Sequence, residues 1–325
     1  MPSKRLRLIT WNVLFAAARS PLGPWSARGP VVRETVVSAA PDVLCLQEID
    51  PAQVEFAHAG IPGFSALLGE TNGLSPYPRR IVVAAPIALA LWAVLFWRFG
   101  LPPWTWWLWP YHAFFFAIGV LAPLALAGII RYRGPYLPPG ALCPILYRPE
   151  RLQPLADGCV WISDTPLLPG TAFPLLIEPR VAHWARFAFA GREILVVNVH
   201  LGHAPWHYAG SARVLLETIA RERPSADAPV FLLGDFNAVP SSGVVRRLRA
   251  SLRLASEEAE TREGPETTFQ WNLRPGMKPL RLDHVLFAGP VRAVAARVLT
   301  PRVGGKPASD HDPVVVECKV GARLT

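Results

Sequence analysis

Six short apolar runs in this chain each adjoin polar groups able to bind a cation or move a proton. Asn12 follows LITW, Glu48 follows VLCLQ, His200 follows ILVVNV, and Asp235 and Asn237 follow VFLLG. Asp283 and His284 follow RL, while Ser309, Asp310, His311 and Asp312 precede the last run. A buried strand presents its ligand-binding side chains where it emerges from the sheet, so these positions form one candidate site. Carboxylates and asparagine amides without a soft ligand make a hard-cation set, and Mg²⁺ is the usual occupant when phosphate oxygens complete the shell. Singly, each group has an ordinary explanation: Asn12 as a turn cap, Asp235 in GDFN as an Asx-turn, Glu48 as a solvated strand end. The coincidence of six carries the reading. His200, His203 and His207 in one loop fit surface or packing roles better than a histidine metal cluster. No Ser-His-Asp elbow, glycine-rich phosphate loop or cysteine nucleophile competes.

The elements that must position these groups follow from periodicity. Leu6–Asn12 and Val43–Glu48 read as strands around a helical stretch near Val31–Ala39. Further strands are expected at Pro144–Arg148, His183–Ala190, Glu193–His200 and Val230–Gly234, and a helix at Tyr208–Arg223. Strands near Thr267–Trp271, Leu282–Phe287, Val291–Leu299 and Val314–Val320 complete the set. Many strands with few helices between them make an α/β chain with two packed sheets flanked by helices.

Composition adds a second theme. Of the 325 residues 51% are hydrophobic and 18% charged, which excludes a disordered or fibrous chain. No Asp or Glu occurs from Thr71 to Pro149, so the middle of the chain is suited to a different solvent from its flanks. A bilayer core of about 30 Å takes about 20 apolar residues per helix. Ile81–Trp97 and Leu108–Ile130 fit two crossings, with Trp104, Trp106, Trp107, Trp109 and Tyr111 as an interfacial belt at the turn. Arg79, Arg80, Arg131 and Arg133 flank the other ends, which places both halves of the remaining chain on the cytoplasmic side of the membrane. A pair of buried helices is the bland alternative. The expected domains are thus residues 1–78 and 134–325 folded together, with residues 79–133 as an inserted transmembrane hairpin. The start, MPSKRLRLITWNV, has no apolar signal core. The net charge of +9 suits nucleic acid, anionic lipid or a phosphorylated substrate, though arginine richness with few lysines also marks a GC-rich genome. Cys45, Cys143, Cys159 and Cys318 are far apart without paired metal spacing, and Cys45 and Cys318, inside apolar strand-like runs, read as small core residues in a reducing compartment.

ITWNV, DVLCLQE, VVNVHLGH, FLLGDFNAVPSS, RLDHVLF and SDHDPVVVE together resemble the ordered motif series of the endonuclease/exonuclease/phosphatase superfamily. ILYRPERL, VWISDTP and PRVAHWA are similar to stretches of its bacterial members. The resemblance covers essentially the whole chain apart from the hairpin. It implies a four-layer α/β/β/α sandwich and a metal-dependent hydrolase of phosphoester bonds. It also implies roles. Glu48 is the principal Mg²⁺ ligand, Mn²⁺ being the alternative metal; Asn12 orients that carboxylate or a phosphate oxygen, and Asp310 completes the metal or its surroundings. Asp235 orients or deprotonates the attacking water, and Asn237 steadies it. Asp283 fixes the ring of His311, whose imidazolium faces the phosphate. His200 donates to a phosphate oxygen or assists the leaving group, with Asn198 beside it, and Arg180 clamps phosphate. One departure stands out: Ala141 and Cys143 occupy positions where bacterial relatives carry Glu and Asn, with His203 or His207 as candidate substitutes.

The shared metal centre leaves the substrate open. The hairpin favours a membrane lipid headgroup, and the basic charge favours an endo- or exonuclease. A catalytically silent membrane scaffold is the remote alternative, opposed by the retention of Glu48, Asp235 and His311. The expected partners are the phosphoester substrate and the lipid bilayer, at the bacterial cytoplasmic membrane. No protein partner is inferable.

Overall fold

Alternation along the apolar runs builds the layers. Leu6 and Leu8 share a buried cluster with Val43, Cys45, Val196, Phe231 and Val316. Ile9 and Trp11, at the alternate positions, turn the other way, to join Leu44 and Leu46. Successive side chains of a strand point to opposite faces, so a run apolar at every position must be covered on both.

The computed structural model describes residues 4–16, 21–69, 142–168, 171–173, 179–269 and 278–321. The strands are β1 (Lys4–Asn12), β2 (Val43–Gln47), β3 (Ser65–Leu67), β4 (Ile145–Tyr147), β5 (Gln153–Trp161), β6 (Val181–Phe189), β7 (Arg192–His200) and β8 (Val230–Asp235). They continue as β9 (Arg253–Leu254), β10 (Thr261–Glu263), β11 (Asp283–Ala288), β12 (Val291–Val298), β13 (Arg302–Val303), β14 (Lys306–Pro307) and β15 (Val314–Val320). Among the described residues one mixed sheet runs β10-β12-β15-β1-β2-β4-β3, a second runs β5-β6-β7-β8-β11-β9, and β13 and β14 pair as a separate two-stranded ribbon.

The outer faces are covered by helices. Val32 and Val36 of α1 (Trp25–Ala39) pack with Ile9, Trp11 and Leu44. After the short α2 (Val54–Ala59), α3 (Tyr208–Glu222) lays Ala212, Leu215 and Ile219 on Leu195, Val197 and Leu232 of the second sheet. The result is helix, sheet, sheet, helix. The two flanks of the sequence share the first sheet, since β3 pairs with β4 (Ser65 opposite Tyr147) and β1 lies between β2 and β15.

Two local readings differ from the sequence expectation. Helix α1 begins at Trp25 rather than near Val31, because Pro30 removes a single backbone donor and the helix runs through it. Around Phe269 there are isolated bridges to Leu280 and His311 in place of a strand, and residues 270–277 lie outside the described residues. The expected hairpin, residues 79–133, also lies outside them. Among the described residues no helix is long and apolar enough to cross a membrane.

Candidate active site

Strands β1, β2, β7 and β8 end, and β11 and β15 begin, at one edge of the sandwich. The registers fix this: Asn12 lies opposite Gln47, His200 and Asp283 both lie opposite Asp235, and Thr10 opposite Val314. Parity does the rest. Asn12 shares the face of Leu6 and Leu8, Asp235 that of Phe231 and Leu233, Asp283 that of Val285 and Phe287, and His200 that of Ile194 and Val196, all of them facing the core between the sheets. The polar groups are therefore the continuation of that core to its open end.

Asn12 Nδ2 donates to Glu48 Oε1 and to Asp235 Oδ2, each at 3.1 Å, and its Oδ1 accepts from the Leu14 amide. One amide thus holds two carboxylates together. Asp235 Oδ1 accepts from the Asn237 amide at 2.8 Å, while Asn237 Nδ2 donates to Leu201 O. Asp283 Oδ2 lies 2.8 Å from Nδ1 of His311, whose Nε2 is 3.6 Å from Asp235 Oδ2. His200 Nε2 lies 3.4 Å from Asp235 Oδ2 and 3.9 Å from Glu48 Oε1. Arg180 Nη1 donates to the His200 ring, 2.9 Å from Nε2. Glu48 and Asn237 have φ of 61° and 48°. Such left-handed backbone costs a residue other than glycine on the order of 1–3 kcal/mol and concentrates where function over-determines the chain.

The electrostatics divide the groups by task. Burial and the neighbouring Asp310 push Glu48 up to about 7. Its Oε2 is buried without a hydrogen-bond partner, an arrangement that a bound cation would relieve. Burial also raises Asp235, against the pull of His311. For His311 burial works against the charge, but Asp283 and Asp235 outweigh it and hold the imidazolium well above its ordinary range. Burial and the Arg180 guanidinium keep His200 neutral. Asp235, Asp283 and His311 offer three ligand atoms within 4.8 Å of one another. With His311 protonated and hydrogen-bonded at Nδ1, that trio fits a proton-donating pair beside a carboxylate better than a metal site. The hard donors fitting a divalent cation are the carboxylates of Glu48 and Asp310; Asn12 turns Nδ2 to Glu48 and Oδ1 to the Leu14 amide, so it orients that carboxylate.

Asn198 is placed differently from the expectation beside the phosphate. Its Nδ2 donates to the carbonyls of Leu46 and Pro144, and its Oδ1 accepts from Gln47 Nε2. A fully engaged amide ties the two sheets together. His207 likewise cannot replace a substrate-facing group: it is buried, accepting from the Ala204 amide and bonded to Ser211 Oγ. Cys143 is buried, its thiol pushed up to about 12 by burial, and Ala141 lies outside the described residues. His203 is exposed on the adjoining loop. Two positioning groups, Arg28 and Thr268, carry no motif signal. Arg28, together with Ser309 of the SDH run, holds the loops after β1 and before β15. Thr268 Oγ1 accepts the amides of Leu282 and Asp283. His284, flagged beside Asp283, donates to Ala238 O and braces the GDFN loop.

The sequence profile of the Endonuclease/Exonuclease/phosphatase family matches residues 9–311. The chain belongs to that family. Its members hydrolyse phosphoester bonds. An endonuclease/exonuclease/phosphatase of Bacteroides vulgatus superposes with a TM-score of 0.72 at 17% identity, over 98% of this chain and 99% of that one. A mannosyl-6-phosphatase of Bacteroides thetaiotaomicron gives 0.70 at 18% identity, over 96% and 99%. The human Nocturnin catalytic domain with bound sulfate gives 0.61 at 17% identity, over 98% and 93%. At these identities the likeness shows the fold alone. No curated protein matches the chain.

Proposed function

We propose that this chain is a Mg²⁺-dependent phosphoesterase, hydrolysing a phosphodiester or phosphomonoester by in-line attack of an activated water. The observation that carries the reading is the buried, unpartnered Oε2 of Glu48 beside the convergent Asn12, Asp235 and His311. In-line attack loads negative charge onto the equatorial and leaving oxygens, so a site needs fixed donors and a base rather than a covalent nucleophile. Glu48 and Asp310, the former oriented by Asn12, would hold Mg²⁺, or Mn²⁺ in its place, which would supply Lewis-acid stabilisation of that charge. Asp235, oriented by Asn12 and the Asn237 amide, takes the proton of the water, which Asn237 steadies. His311, fixed by Asp283, donates to a phosphate oxygen. Neutral His200 donates to a second, and the Arg180 guanidinium adds fixed positive charge.

The favoured substrate is a membrane lipid headgroup, with the enzyme held at the cytoplasmic face of the bacterial inner membrane by the hairpin of residues 79–133. Two observations support this. Chain 70–141 departs after β3 and returns at Leu142, which bridges Ile49, the residue next to Glu48. The apolar insertion is thus rooted at the catalytic edge. Leu167, in the β5–β6 connection, and Trp206, in the turn after β7, are 73% and 66% exposed, and both segments leave strand ends at that same edge, where exposed apolar side chains suit an interaction surface. The alternative, a membrane-anchored nuclease, draws on the net charge of +9. The test is phosphate or headgroup release by detergent-solubilised full-length protein with Mg²⁺. It spans phospholipids, sphingomyelin, plasmid DNA, RNA and small phosphomonoesters, with Asp235→Ala as control. Lipid cleavage supports the reading, and nucleic-acid cleavage with lipid untouched replaces it with the nuclease. No Asp235-dependent release from any of them would overturn the phosphoesterase itself.

A further inference from the structure

Arg28 is 1% exposed, yet a guanidinium is among the costliest groups to bury. Its partners explain its presence. Nη1 donates to the carbonyls of Val13 (2.7 Å) and Ala308 (3.1 Å), Nη2 to those of Leu14 and Phe15, and Nε to that of Gly23. Val13, Leu14 and Phe15 directly follow Asn12, and Ala308 directly precedes Ser309, Asp310 and His311. Arg28 itself is 280 residues from Ala308 in sequence. Two further ties join the two segments: Ser309 Oγ donates to Asn12 O, and Trp11 Nε1 to His311 O. The planar fork of Arg28 is anchored from behind by α1, its guanidinium lying 5.3 Å from the Trp25 ring centroid. Lysine, a point donor on a flexible stem, cannot serve five carbonyls spread around a plane.

The structure assigns Arg28 as the positioning residue that fixes Asn12 relative to Asp310 and His311, so that the cation-holding and proton-donating halves of the site are preformed before a cation binds. The assignment rests on the phosphoesterase reading above. Arg28 touches no reacting atom and acts only through the two loops. Preorganised ligands bind without a cost of ordering, and the groups behind metal ligands are typically worth about 10–100-fold in affinity.

The test uses full-length protein in detergent, with Mn²⁺ alone as the probe, read by calorimetry and by electron paramagnetic resonance. Arg28→Lys is expected to bind Mn²⁺ about tenfold more weakly and to lose turnover of a soluble phosphomonoester even at saturating Mn²⁺. Phe287→Leu, a core change remote from both loops, serves as the stability control at a similar fall in thermal midpoint and should keep wild-type affinity. Equal Mn²⁺ affinity in Arg28→Lys and wild type overturns the assignment, as does an equal loss in the control. Hydrogen exchange of the wild type covers the case in which the variant does not fold: the Leu14 and His311 amides should be protected without metal. Their rapid exchange until Mn²⁺ is added would also overturn preformation. Failure of wild-type protein to bind Mn²⁺ would instead sink the cation reading beneath it.

Discussion

Replacing Asp283 by asparagine is the sharpest probe of how the site divides its charges. Asp283 Oδ2 and His311 Nδ1 are 2.8 Å apart in a pair buried on both sides. A hydrogen bond between charged partners is worth about 1.5–3 kcal/mol more when made than when lost. Since 1.36 kcal/mol is a factor of ten, Asp283→Asn should lose about 10–150-fold in kcat/KM through His311 alone. The sign of the pH effect follows from the direction of the shift. Asp283 and Asp235 raise His311 well above its ordinary value, so activity that needs the imidazolium is present at neutral pH and falls as pH rises through the folded value. In the Asp283→Asn variant one of the two supporting carboxylates is gone, and that alkaline fall should move to lower pH. The assay is the pH profile of kcat/KM with a soluble phosphomonoester at saturating Mg²⁺. A variant with the wild-type alkaline limb and reduced rate would refute the imidazolium role and leave Asp283 a structural residue. Thermal midpoints of both proteins across the same pH range keep unfolding separate from chemistry.

The remaining expectations concern the cation and the strand end beneath it. Burial raises Glu48 to about 7 from its ordinary 4.5, so metal-free protein should lose stability through this group as pH rises from about 4.5 to above 7. Added Mg²⁺ should remove that loss by holding the carboxylate ionised, seen as a thermal midpoint that rises more with Mg²⁺ at pH 8 than at pH 5; an equal rise at both would remove Glu48 from the ligand set. Gly234 lies at φ 150°, where an added Cβ would stand 1.9 Å from Val199 O. Gly234→Ala should therefore cost about 3 kcal/mol or more in denaturant unfolding, and a loss below about 1 kcal/mol would contradict the close approach of β7 and β8.

The legible part of this protein was the part governed by alternation and by motif. The runs before Asn12, Glu48, His200 and Asp235 announce themselves because each must be apolar on both faces, and each of those strands lies where its run suggested. Periodicity shows only the part of helix α1 after Gly29 and Pro30, although neither breaks the helix, and the segment around Phe269 bonds by bridges that periodicity does not encode. Spacing also cannot distinguish a polar group that faces the substrate from one that joins two sheets. Asn198 and His200 lie two residues apart on the same face of β7, yet Asn198 is engaged by Leu46, Pro144 and Gln47 while His200 reaches Asp235.

That two-residue step has a physical meaning. Along β7 the inner face passes from Ile194 and Val196, through Asn198, to His200. It moves from core, to a joint whose every hydrogen bond is internal, to a group with capacity left for a ligand. The first sheet makes a comparable passage: Cys45 of β2 lies in the core, Gln47 at its end bonds Thr10 and Asn198, and Glu48, turned by its left-handed backbone just beyond the strand, has a buried oxygen unpartnered. The Gln47–Asn198 contact joins the two progressions at the same depth. A polar group below that joint must be satisfied by the protein or it destabilises the fold; above it, an unsatisfied group is tolerated where a ligand completes it. The boundary between fold and chemistry is therefore marked by the amide side chains of Gln47 and Asn198, whose hydrogen bonds are all made within the protein.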